Sequence, residues 1–71
     1  MEILSFLNDL STAVSRTNGA LRAQLAIGNY GRFLATEDAT YFRLAREDLA
    51  EAERLGANTD RARDFMERYQ L

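Results

Sequence analysis

Ile3, Leu7, Leu10, Val14, Thr17 and Leu21 step along the chain by 4, 3, 4, 3 and 4. That is the rhythm of a helix offering a narrow seam to another helix. Leu4, Phe6, Ala13, Ala20 and Leu25 widen the seam into a face, and Ser5, Asn8, Asp9, Ser15 and Arg22 occupy the other side. The Ser and Thr content lowers intrinsic helicity, so packing has to hold this helix. Asn18-Gly19 is a turn signal, yet Leu21 keeps the beat set before the pair. One helix over about 2–27 is the favoured reading, and two short helices split at Gly19 are the alternative.

Gly28-Asn29-Tyr30-Gly31 reads as a helix stop and a loop. Thr36 before Glu37 and Asp38 reads as the next start, a hydroxyl cap with two acids at the positive end of the helix dipole. Phe42, Ala45, Leu49, Ala52 and Leu55 mark the buried stripe of a second helix over 37–55, ended by Gly56 at C′. Asn58 or Thr59 then caps a short third helix with Ala62, Phe65, Met66 and Tyr69 inward. Arg63–Glu67 and Asp64–Arg68 pairs are expected to support its outer face. No useful length alternates with period two. The expected fold is all-α, a helical hairpin with a short third C-terminal helix, forming one small domain over 1–71.

A core built from 71 residues supplies only about 3–5 kcal/mol unless something else helps. The chain has no Cys for a disulfide and neither Cys nor His for an ordinary zinc site. Association is the remaining device, and a homodimer through Ile3, Leu7, Leu10, Val14 and Leu21 is expected. The absence of His, Cys and Lys also removes the usual general base, thiolate and Schiff-base amine. No enzyme activity, cofactor or metal is expected. Glu47, Asp48, Glu51 and Glu53 cluster on the second helix, but Arg43, Arg46 and Arg54 lie among them. A solvated salt-bridge face is the favoured reading of that cluster.

The net charge is −2, and all nine basic residues are Arg. Between Leu10 and Thr36 there is no acid, so Arg16, Arg22 and Arg32 stand unpaired in sequence. Tyr30, Arg32 and Phe33 fall in that stretch, and two aromatics beside an Arg have the composition of an interface hot spot. These three are the expected partner-binding residues. The apolar run Met1–Leu7 lacks the basic polar face of a lipid-surface helix, which favours self-association. The longest uncharged central run, Ala23–Gly31, is nine residues, too short to span a membrane. Glu2 stands where a signal peptide would be basic, so a cytoplasmic protein is expected.

Ala52, Gly56, Ala57, Asn58, Thr59, Ala62 and Phe65 together resemble the helix-turn-helix of bacterial regulators. That resemblance covers residues 48–68 and implies a DNA-binding recognition helix using Asn58, Arg61, Arg63 and Arg68. Asp60, Asp64 and Glu67 share the same helix, which leaves it without net positive charge for phosphates. Ala45, Leu49, Ala52, Leu55 and Asn58 also half-match a tetratricopeptide repeat, but no second repeat exists. The favoured function is therefore a non-catalytic protein–protein interaction module. It would be a small inhibitor, anti-activator or adaptor that modulates a larger regulatory protein, as small acidic helical proteins of phages and mobile elements often do. Nucleic-acid binding through the helix-turn-helix is the alternative.

Overall fold

A computed structural model describes the backbone of residues 2–70 and the side chains of residues 17–70. Three helices follow one another, α1 (Glu2–Thr36), α2 (Ala39–Arg54) and α3 (Asp60–Arg68), and the described residues contain no strand. The expected all-α architecture of hairpin plus short third helix is what the chain adopts. The side chains of Ile3, Leu7, Leu10 and Val14 lie outside the described residues.

The expected loop at 28–31 is absent. Helix α1 runs unbroken through Gly19, Gly28 and Gly31 to Thr36, nine residues beyond the predicted end at 27. The reason lies in a second stripe on the same helix. Gly19, Ala23, Ala26, Tyr30 and Phe33 step by 4, 3, 4 and 3; Ala23, Ala26 and Tyr30 are buried, and Phe33 is half-buried. Keeping that stripe against α2 and α3 outweighs the roughly 1 kcal/mol that each glycine costs a helix.

The start of α2 is also two residues later than expected. Asp38, not Thr36, is its N-cap, and its carboxylate accepts from the Thr40 amide at 2.9 Å. Thr36 instead belongs to the end of α1, where its hydroxyl donates to the Arg32 carbonyl at 2.7 Å. Between them Glu37 takes φ = 60°, and its amide donates to the Phe33 carbonyl at 2.7 Å. This is a left-handed helix stop filled by a residue with a Cβ. Glu37→Gly is expected to raise stability by about 1 kcal/mol, read as a higher midpoint in urea unfolding.

Gly56 ends α2 as expected. At φ = 82° its amide donates to Glu53, while the Ala57 amide reaches the Ala52 carbonyl, both at 3.0 Å. That pair of bonds is the Schellman stop. Asn58 accepts from the Asp60 amide at 2.9 Å and Thr59 holds the N-cap position of α3. The chain thus returns along α1, and α3 ends with the Tyr30 hydroxyl donating to the Tyr69 carbonyl at 3.1 Å.

The core between these helices is built from small side chains. Among the described residues the buried apolar ones are Ala23, Ala26, Tyr30, Ala45, Ala52 and Ala62. A Cβ placed on Gly19 would lie 2.8 Å from the Ala57 Cβ and 3.2 Å from the Leu55 Cβ. Gly19 is therefore where the end of α2 meets α1. Residues before it run past α2, which at 16 residues is less than half the length of the 35-residue α1.

Candidate functional site

Tyr30 lies at the centre of an aromatic cluster. Its ring centroid lies 5.8 Å from Phe33, 6.1 Å from Phe42 and 5.9 Å from Phe65, the last edge-on at 78°. Phe33 and Phe42 approach to 5.1 Å, as do Phe65 and Tyr69. The spacings suit tilted and edge-on aromatic pairs. All three helices contribute, so the cluster fixes how α3 sits on the α1–α2 pair.

One side of the cluster is open. Tyr30 and Phe33 of α1 form the floor of a groove of about 720 Å³ between α2 and α3. Phe42, Leu49 and Ala50 line one wall and Met66 the other. Arg46, Glu53, Arg63 and Glu67 form a rim of mixed sign. The Arg46 guanidinium lies over the Phe42 ring at 5.9 Å, within cation–π reach. Arg63 bridges the two walls by pairing with Glu53 across the groove and donating from Nε to the Thr59 hydroxyl at 3.3 Å. It does not make the expected turn-to-turn pair with Glu67.

The three expected partner-binding residues do not form one patch. Tyr30 is 2% exposed, a core residue whose hydroxyl is already committed to Tyr69. Phe33 is half-buried and forms groove floor. Arg32 is exposed on another side of α1, seven residues beyond Leu25, and donates to the Asn29 carboxamide at 3.3 Å. All three lie within helix α1, and helical geometry turns Arg32 away from the other two at about 100° per residue.

The acidic cluster on α2 is likewise dispersed. Asp48 faces inward, buried, and accepts from Arg22 at 3.0 Å and from the Asn29 carboxamide at 2.8 Å. This corrects its expected place on a solvated face. Arg22, unpaired along the sequence, finds its acid in space instead. Glu51 pairs with Arg54, whose hydrogen bond holds the Glu51 carboxyl below its ordinary value. Glu47 remains exposed. The described residues contain no group of three His, Cys, Asp or Glu placed to hold a metal, and no described helix is long and apolar enough to cross a membrane.

No protein-family model, curated protein or solved structure matches this chain. Among the residues of the helix-turn-helix reading, Asn58 is used in the turn before α3 and Arg63 is tied to α2. Arg61 and Arg68 are exposed, on a nine-residue helix that also carries Asp60, Asp64 and Glu67.

Phe42, Leu49, Arg46 and Met66 are groove residues that the sequence reading did not single out as a site. The signal existed in part. Phe42 and Leu49 are seven apart on a helix whose truly buried line is Ala45, Asp48 and Ala52. Two large apolar residues flanking an alanine line have more surface than an alanine core can cover.

Proposed function

We propose that this chain is a non-catalytic protein–protein interaction module that binds and modulates a larger regulatory protein, as a small inhibitor, anti-activator or adaptor. The observation that carries the reading is the open groove between α2 and α3. Its floor and walls are aromatic and aliphatic, and its rim offers both signs of charge. The groove runs along α2 from Ala39 to Glu53, about 21 Å at 1.5 Å per residue. That length suits four turns of an amphipathic helix laid into it with its apolar face down. Self-association through α1 belongs to the same reading, because the small core of one copy leaves Leu21 and Leu25 about half exposed.

The test is affinity capture from the cells that carry the protein, comparing the unaltered chain with Phe33→Ala, Met66→Glu and Arg32→Ala. One stoichiometric protein is expected with the unaltered chain. Met66→Glu should abolish recovery and Phe33→Ala should lower it at least tenfold, with cooperative melting retained. Arg32→Ala, off the groove, should leave recovery unchanged. Equal recovery by all variants would remove the groove as the site. A salt-dependent shift of duplex DNA abolished by Arg61→Ala would instead favour the helix-turn-helix reading.

A further inference from the structure

The largest exposed aliphatic side chains of the described chain sit together on α1. Leu21 and Leu25, one turn apart, are 54% and 52% exposed. They face away from Ala23, Ala26 and Tyr30, which bury against the other helices. At about 100° per residue, the positions of Ile3, Leu7, Leu10 and Val14 fall on the same line of α1 as Leu21 and Leu25. Extended in the other direction, the line reaches Gly28 and Arg32. It passes Thr17 and Asn18 at its middle and carries no charge from Ile3 to Gly28.

The spacing along this line is symmetric. From Thr17 towards the N-terminus the steps are 3, 4, 3 and 4, through Val14, Leu10 and Leu7 to Ile3. From Asn18 in the other direction they are again 3, 4, 3 and 4, through Leu21, Leu25 and Gly28 to Arg32. We infer that two copies of this chain pack antiparallel along this face of α1, with the two-fold axis beside Thr17 and Asn18. Each interface patch is then its own complement, as a two-fold dimer requires.

The register sets Val14 against the partner's Leu21 and Leu10 against the partner's Leu25. Position 7 falls opposite the partner's Gly28, and no atom of the same copy lies within 4 Å of where a Cβ on Gly28 would be. Position 3 falls opposite the partner's Arg32, at the end of the seam, where a guanidinium can stay in water. Parallel packing would instead stack Gly28 on Gly28 and set two Arg32 guanidinium groups together, a gap beside a repulsion. The antiparallel seam is about 44 Å long, from Ile3 to Arg32 at 1.5 Å per residue. It lies on the side of α1 away from the α2–α3 groove, so the dimer presents two free grooves.

This inference rests on the self-association in the functional reading and adds its direction and register. Sedimentation at tens of micromolar should give about 16 kDa, twice the 8.1 kDa of one chain. Leu25→Arg, at an exposed position, should halve that mass while α1–α2 packing still melts cooperatively. Direction is read by disulfides, since the chain has no cysteine of its own. Oxidised Asn18→Cys should link to itself across the axis. Leu10→Cys should link to Leu25→Cys when the two are mixed, but not to itself, because two copies of position 10 lie about 22 Å apart along the seam. A monomeric mass overturns self-association altogether. A dimeric mass with Leu10→Cys linking to itself overturns the antiparallel register alone and leaves the dimer and the groove standing.

Discussion

Alanine at Gly19 should lower the stability of this protein, whereas alanine at Gly28 or Gly31 should raise it. All three glycines lie inside one helix, so intrinsic propensity favours alanine by about 1 kcal/mol at each. They differ in what surrounds them. Within one copy nothing lies within 4 Å of a methyl group at Gly28 or Gly31, and in a monomeric chain the helix gain is expected in full. At Gly19 the methyl would sit 2.8 Å from the Ala57 Cβ and 3.3 Å from the Ala52 carbonyl oxygen. Neither atom is the end of a flexible side chain, so the helices must separate or the turn at Gly56 must move. Overpacking of that kind costs about 1–3 kcal/mol and outweighs the propensity gain. Thermal unfolding in the monomeric Leu25→Arg background should show added Gly28→Ala/Gly31→Ala raising the melting temperature by at least 5 °C and added Gly19→Ala lowering it. A rise at all three positions would show that α1 and α2 do not approach at Gly19.

Loss of Arg22 should cost more than loss of Asp48, although the two form one ion pair. The Asp48 side chain is 8% exposed and the Arg22 side chain 50%. Asp48→Ala removes the buried charge and leaves a guanidinium that turns into water, with Asn29 keeping its bond to Arg32. Arg22→Ala leaves a buried carboxylate held by the Asn29 carboxamide alone. Uncompensated burial of charge is the larger penalty. The expected losses are about 1 kcal/mol for Asp48→Ala and about 2–3 kcal/mol for Arg22→Ala, with the double variant close to Asp48→Ala. Urea unfolding of the three variants measures the cycle. If the two single variants lose equal stability, Asp48 is not confined as described.

The helices were legible in the sequence because their apolar periods are long, and Gly56 announced the end of α2 through a stop that only glycine fills comfortably. What stayed hidden was the direction each stripe of α1 faces. The larger stripe, Leu7 to Leu21, has the spacing of a helix-packing seam. Yet within one copy the smaller stripe of Gly19, Ala23 and Ala26 is the one that meets α2. Side-chain size misleads here because close approach selects small residues. The pair Gly28 and Gly31 looked like punctuation for a related reason, since the tertiary packing of Tyr30 and Phe33 is not local information. The chemistry of Asp48 alone points to the surface, and only the meeting of α1 with α2 supplies the Arg22 and Asn29 donors that allow it inside.

The alanine-built core has a consequence for how this protein tolerates change. Among the described residues, five of the six buried apolar ones are already alanine. An alanine scan, the usual means of locating a core, would pass over them in silence and report a protein with little interior. Their sensitivity runs in the opposite direction, towards added bulk. A library substituting valine or leucine at Ala23, Ala26, Ala45, Ala52 and Ala62 should outline the interior that truncation cannot see.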